Sequence, residues 1–190
     1  MRKSNLLMKL LIITQKVDRE DSVLGFFHSW LKKFAQHFEI VTVVCLQKGI
    51  YDLPHNVRVF SLGKEQYTAH NTKHKTQKRI QFLLNFYKCI WQERKNYDIV
   101  FVHMNPEYIV LGGILWRFLK KRIGLWYVHR HVNFKLRIAE KLTHVAFSTT
   151  PEAFRLKSKK VHFLGHGVDF SLFPRKTKLW TSDVHGLNIV

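Results

Sequence analysis

The chain has 190 residues, 46% of them hydrophobic and 24% charged, enough for one domain with a core of its own. Its 32 Lys and Arg against 13 Asp and Glu give a net charge of +19, which attracts polyanions such as nucleic acid, anionic lipid headgroups or phosphorylated substrates. No apolar run reaches the ~18 residues of a membrane-spanning helix, and Cys45 and Cys89, with no short spacing between them, make neither a disulfide framework nor a zinc site.

Met1-Arg2-Lys3 ahead of an apolar run has the outline of a signal peptide, but Lys9 interrupts the run and no small-x-small cleavage site follows. A buried first strand at 6–14, rich in Leu and Ile, accounts for the same residues and points to a cytoplasmic protein. The polar stretch 15–22 predicts a loop. Leu24, Phe27, Leu31, Phe34 and Phe38 recur at helical spacing, predicting a helix at 23–37 with Asp21 and Ser22 as candidate N-caps. Residues 40–46 predict a second strand, 49–56 with Pro54 a turn, and 57–62 a third strand. The segment 63–77, with His70, Lys73, His74 and Lys75, reads as a surface loop.

A helix at 78–94 follows, with Ile80, Leu83, Leu84, Tyr87, Ile90 and Trp91 on one stripe. Core packing accounts for most of its aromatics, which include Phe82 and Phe86. Next come a strand at 98–103, a helix at 107–120 running through Gly112 and Gly113, and a strand at 123–128. A short helix at 134–142, a strand at 144–148, a helical turn at 151–156 opened by Pro151 and a last strand at 160–164 complete the order. Strands and helices largely alternate, and the strands are continuously apolar. That predicts an α/β fold: a doubly wound, mostly parallel, Rossmann-like sheet with helices on both faces. The domain extends over 1–174, and 175–190 read as a linker and the start of a further domain.

In an open parallel sheet, ligands bind outside the carboxyl ends of the strands. Those positions hold residues 14–25, then His103-Met104-Asn105-Pro106-Glu107, His129-Arg130-His131 and Gly165-His166-Gly167-Val168-Asp169. Four histidines thus fall at one edge, where they suit hydrogen bonds to sugar hydroxyls or acid–base work near neutral pH. The same placement also suits histidines that only cap strand ends. Gly25, near a helix N-terminus, lets backbone N–H groups approach an anion. No G-x-G-x-x-G follows the first strand, and there is no Walker A, H-E-x-x-H or G-x-S-x-G motif. His129 and His131 lie two apart with no Cys, Asp or Glu at helical spacing, so no metal is expected.

On these residues, over 9–173, the chain resembles the N-terminal domain of GT-B glycosyltransferases of family 4. Gly165 to Phe173 is similar to the family's N-G-V-D-x-x-x-F hinge, with His166 where asparagine is usual. The resemblance implies retaining transfer from a nucleotide-diphosphate sugar to a glycan or lipid-linked acceptor, without metal or other cofactor. It implies His129, and after it His131, at the reaction centre, with His103, Asn105 and Glu107 in the acceptor cleft. It puts Gly25 near the donor phosphate, where the family often has Gly-Gly, and Gly165, Gly167 and Asp169 in the hinge. The family's C-terminal domain holds the donor with an Arg, a Lys and an E-x7-E segment, none of which follows Val190. The chain alone is therefore expected to give little turnover.

Three basic clusters, 73–79, 117–122 and 155–160, read either as solvated surface or as a field for weak attachment to anionic lipid on the inner face of the plasma membrane. A nucleic-acid module is disfavoured, because no helix-turn-helix, zinc-finger or RRM-type motif is present. The remaining alternative is a non-catalytic remnant, or a subunit that pairs with a separate donor-binding chain.

Overall fold

The computed structural model describes residues 8–67 and 75–165. The apolar runs become β1 (Lys9–Val17), β2 (Ile40–Lys48), β3 (Val57–Ser61), β4 (Ile99–His103), β5 (Arg122–Trp126), β6 (Val145–Ser148) and β7 (Val161–Phe163). They form one sheet in the order β3-β2-β1-β4-β5-β6-β7, and every neighbouring pair is parallel. β1 is central: Leu10 is in register with Val41 of β2 and with Ile99 of β4. Leu10 to Ile13 are all buried, as a strand covered on both faces requires. The doubly wound, Rossmann-like α/β architecture predicted from the sequence is the observed one.

The helices are α1 (Gly25–Ala35), α2 (Lys75–Gln92), α3 (Pro106–Phe118) and α4 (Phe134–Leu142). Leu11, Ile13, Val100 and Val102 pack with Phe86 and Ile90 of α2, Ile109 and Trp116 of α3, and Leu136 and Ala139 of α4. On the opposite face Leu10, Ile12, Val41 and Val43 pack with Phe27 and Leu31 of α1. The successive residues of each strand thus feed two separate cores, one under α1 and the other under α2, α3 and α4.

Several boundaries differ from the predicted ones. β1 runs on to Val17 because Lys16 and Val17 continue the ladder with Gln47 and Lys48. Asp21 does organise the entry to α1, its Oδ1 accepting the N–H groups of Val23 and Leu24 at 3.0 and 2.8 Å. The N-cap position itself falls on Leu24, which makes no side-chain cap. A 3-10 turn at Lys64–Gln66 occupies part of the predicted 63–77 loop, and α2 begins at Lys75. Asn133 caps α4, its Oδ1 accepting the Leu136 N–H at 2.8 Å. The predicted helical turn at 151–156 shrinks to a 3-10 turn at Pro151–Ala153.

α2 turns a different face to the core than predicted. Phe86 and Ile90 are buried, whereas Ile80, Leu84, Tyr87 and Trp91 are exposed. On α3, Ile114 and Phe118 are 72% and 82% exposed. The Tyr87 hydroxyl donates to the Leu111 carbonyl at 2.9 Å and joins the two helices. α3 passes through Gly112 and Gly113 because a Cβ there would lie 2.7 Å from the Trp116 ring and 2.9 Å from Leu142, respectively. No described helix is long and apolar enough to cross a membrane.

Gly165 has φ +74 with nothing within 4 Å of where a Cβ would stand, so backbone conformation rather than space calls for glycine there. His166, Gly167 and Asp169 of the predicted hinge, and the predicted boundary and linker at 175–190, lie outside the described residues.

Candidate functional site

At the carboxyl edge of the sheet β4 ends on His103, β5 on Trp126 and β6 on Ser148, while the loop after β1 leads into α1. The loop is tied down by charge. Lys16 Nζ lies 3.0 Å from Asp18 and 2.7 Å from Asp21. These contacts raise the Lys16 pKa and lower that of Asp18, and with the backbone N–H bonds they take Asp21 down to about 2. Gly25 opens α1, its N–H donating to the Asp21 carbonyl at 2.9 Å. A Cβ on Gly25 would stand 3.0 Å from the Arg19 carbonyl oxygen, so glycine lets the loop fold tightly against the first helical turn.

His103 is 2% exposed. Its ring stacks on Phe27, with centroids 4.0 Å apart and planes at 17°. Phe26 and Trp30 meet it edgewise at 6.2 and 6.1 Å. Thr14 Oγ1 lies 3.3 Å from His103 Nδ1, and among the described residues Nε2 has no partner. Burial alone brings the His103 pKa down to about 4, so the ring is neutral at physiological pH. The next residue, Met104, has φ +67, a left-handed conformation uncommon outside glycine, and its N–H donates to the Trp126 carbonyl at 2.7 Å.

His103 lines a cavity of about 330 Å3 whose wall is otherwise almost all apolar. Phe26 and Trp30 reach it from α1, Trp126 and Val128 from the end of β5, and Thr149 from just after β6. Thr149 is buried, and among the described residues its Oγ1 has no partner. Val128 and Thr149 also line a second cavity of about 400 Å3, which contains His129, Arg130, Thr150 and Glu152. An apolar and a polar compartment therefore share a wall. The His129 N–H donates to the Ala153 carbonyl at 2.9 Å, which holds the chain after β5 against the 3-10 turn. The Glu152 pKa is lowered by hydrogen bonds from its own backbone N–H and from Thr150.

The other predicted site residues are distributed differently. Asn105 and Glu107 line a separate hollow of about 370 Å3, on the α2 side of the sheet, with Gln15, Arg79 and Tyr108. Gln15 Nε2 donates to Asn105 Oδ1 at 2.8 Å, and Glu107 pairs with Lys135 at 3.1 Å. His131 is exposed and lines none of these three cavities; its carbonyl accepts the Tyr127 hydroxyl at 2.9 Å. The structure thus brings His103 and His129 to adjoining cavities and leaves Asn105, Glu107 and His131 apart from them. Sequence reasoning missed Phe26, Trp30, Trp126 and Thr149. The available signal was the aromatic trio Phe26, Phe27 and Trp30 straight after a strand-end loop.

Among the described residues, no group of three His, Cys, Asp or Glu side chains could hold a metal ion. Cys45 and Cys89 are free thiols, and burial pushes Cys45 up to about 12, leaving it unreactive.

No family model matches this chain, and no curated protein matches it. Solved structures do. Anabaena Alr3699/HepE in complex with UDP matches with 13% identity and a TM-score of 0.56, over 87% of this chain and 46% of that one. The same protein with UDP-glucose matches with 10% identity and a TM-score of 0.56, over 87% and 46%. UDP-N-acetylglucosamine 2-epimerase from Rickettsia bellii matches with 14% identity and a TM-score of 0.52, over 82% of this chain and 44% of that one. The chain therefore spans less than half the length of these structures. At such identities the likeness is one of fold, and the fold is that of a GT-B half-domain.

Proposed function

We propose that this chain is the N-terminal, acceptor-side half of a retaining, family 4 glycosyltransferase. It would accept a glycan or lipid-linked alcohol, and a further domain after the Gly165–Asp169 hinge would hold the nucleotide-sugar donor. The observation that carries this reading is the pair of cavities with a common wall at the carboxyl edge of a parallel sheet. One is apolar and suited to an acceptor; the other holds His129, Arg130 and Glu152. HepE, the solved protein whose complexes contain UDP and UDP-glucose, supports the donor class. On this reading His129 touches the transferred sugar, His131 stands behind it, and Gly25 lies towards the donor phosphate. Asn105 and Glu107 would meet only a part of the acceptor that extends into the separate hollow on the α2 side. The left-handed Gly165 supports the hinge.

An epimerase is the second reading, since epimerase structures share the fold. An epimerase acts on one substrate, so a second compartment at the edge favours transfer. The test is to express the chain together with any domain that follows it in its gene, and to supply UDP-hexoses with and without an alcohol acceptor. Acceptor-dependent UDP release is expected, falling roughly 100-fold or more in His129→Ala. A new epimer formed without acceptor would replace transferase by epimerase. Robust transfer by the 190-residue chain alone would remove the half-domain assignment.

The same reading seats the chain on an anionic bilayer through the exposed α2 and α3 faces. Ile80, Leu84 and Trp91 on α2 and Ile114 and Phe118 on α3 are exposed, as are Lys95, Arg117 and Lys120. Each basic group close to such a surface contributes ~1 kcal/mol at low salt. Phosphatidylglycerol vesicles should bind the chain, and both added salt and the double variant Ile80→Ser/Phe118→Ser should release it. Equal binding to phosphatidylcholine vesicles would count against the surface, and retention of competitor-resistant nucleic acid would favour the rival partner.

A further inference from the structure

The loops after β1 and β2 stand side by side at the carboxyl edge, and backbone bonds stitch them together. The Gly49 N–H donates to the Val17 carbonyl at 2.9 Å, and the Arg19 N–H to the Ile50 carbonyl at 2.8 Å. The loops lie so close that a Cβ on Gly49 would collide with the Asp18 carboxylate. Farther on, Leu53 packs on the core under α1, and the Asn56 amide donates to the Ala35 and Phe38 carbonyls at 2.8 and 3.1 Å. Residues 49–52 have less to hold them. Ile50 and Tyr51 are exposed, and the Lys32–Asp52 ion pair, at 3.1 Å, is a surface pair that contributes little.

Their buried tie is a histidine. His28 on α1 is 9% exposed, and its Nε2 accepts the Asp52 N–H at 3.1 Å. Only an unprotonated nitrogen can accept, so the bond fixes the neutral ring with its hydrogen on Nδ1. A proton added to the ring sits on Nε2 and faces the N–H of Asp52. The bond is then lost, and two donors confront each other where little water reaches. Three charges act on the ring: Lys32 on its own helix, Asp52 on the loop after β2 and Arg19 on the loop after β1. Burial, and after it Lys32, lower the His28 pKa below 6.5, while Asp52 opposes them. The neutral ring therefore holds the loop fully above pH 6.5 and lets go as pH falls through the lowered value.

We propose that His28 is a pH-operated latch at the carboxyl edge: neutral, it holds residues 49–52 by the Asp52 N–H; protonated, it frees them and loosens the Arg19–Ile50 bond to the loop after β1. The latch rests on these hydrogen bonds alone. That it governs a donor site rests on the function proposed above, in which the loop after β1 leads to Gly25 and the donor phosphate.

The test uses the whole chain and its amide N–H resonances between about pH 7.5 and pH 4.5, with the His28 ring followed in the same samples. The Asp52 carboxylate, held below 3.8 by Lys32, titrates outside that window. The Asp52 amide proton should move upfield and the Arg19 amide should follow, both with the midpoint of the His28 ring and below 6.5. Protection of the Asp52 amide from hydrogen exchange should fall on the order of fivefold across that midpoint. His28→Gln offers an acceptor that takes up no proton, so both transitions should vanish. If that variant does not fold, the titration of the unaltered chain decides. A flat Asp52 amide while His28 titrates would overturn the latch. So would a flat Arg19 amide, or a His28 midpoint at or above 6.5. In the longer protein, a donor KM that rises through the same midpoint and stays level in His28→Gln would extend the latch to the site. A KM blind to that midpoint would confine it to the loops. Absence of sugar transfer would remove the function proposed above and leave the amide titration as it stands.

Discussion

The imidazole of His103 lies flat against the ring of Phe27, 4.0 Å away, and its burial there favours the uncharged ring. The folded-state pKa, about 4, lies below the ordinary 6.5. Stability from the neutral ring is therefore complete above pH 6.5 and is lost as pH falls through about 4. The full difference is of order 3 kcal/mol. Melting temperature should fall across that window, and His103→Phe, which keeps a ring on Phe27, should flatten the curve. His28 and His144 are shifted the same way by burial, so the difference between the two proteins is the quantity to measure. Parallel curves would show that His103 does not titrate in this range.

Asp21 holds the loop before α1 by two separate means, the Lys16 ion pair and the N–H groups of Val23 and Leu24. Asp21→Asn keeps an oxygen for the N–H groups and loses the charge, so it should loosen the loop less than Asp21→Ala. Trypsin cleavage after Arg19 reports the loosening. The carboxylate's charge is present above 3.8 and lost as pH falls through about 2, so hydrogen exchange in acid should show a loop like that of the asparagine variant. Equal cleavage of all three proteins would assign the loop's order to its backbone.

Gly112→Ala should destabilise the chain although alanine favours helix by ~1 kcal/mol. The new Cβ would stand 2.7 Å from the ring of Trp116, a side chain with no room to move. Overpacking of this kind costs about 1–3 kcal/mol. A lower denaturant midpoint with little change in slope is expected, and an unchanged midpoint would mean that Trp116 finds another position.

Lys120→Gly should have the opposite sign. α3 ends with the Lys121 N–H on the Trp116 carbonyl and the Lys120 N–H on the Arg117 carbonyl, a Schellman arrangement whose left-handed residue is normally glycine. Here lysine takes φ +56. Replacing it should stabilise by about 1 kcal/mol, visible as a higher melting temperature. A lower one would show that the lysine side chain makes up for the strain.

The sheet was readable because parallel strands covered on both faces leave unbroken apolar runs, as at Leu10–Ile13. The orientation of α2 was not. It carries Ile80, Leu84, Tyr87 and Trp91 along one side and Phe82, Phe86, Cys89 and Ile90 along another, and periodicity cannot say which side meets the sheet. The edge histidines could be read as a group from their positions after strands. That His103 and His129 line different cavities and His131 lines neither depends on which way the chain turns after each strand. The left-handed Met104, which sends Asn105 and Glu107 to the α2 side while His103 stays under α1, leaves no mark in composition or spacing.

The central place of β1 also governs the order in which the chain can assemble. Its first neighbour, β2, follows after a single helix, but Lys9 and Asp98, which hydrogen-bond to each other, are 89 residues apart. During synthesis β1, β2 and β3 can pair early and leave β1, with its buried run Leu10–Ile13, as an open edge. That edge closes only when β4 leaves the ribosome. Slow translation between α1 and β4 prolongs the exposure and invites strand addition by another chain, so yield should depend on elongation rate and on chaperones that shield strand edges.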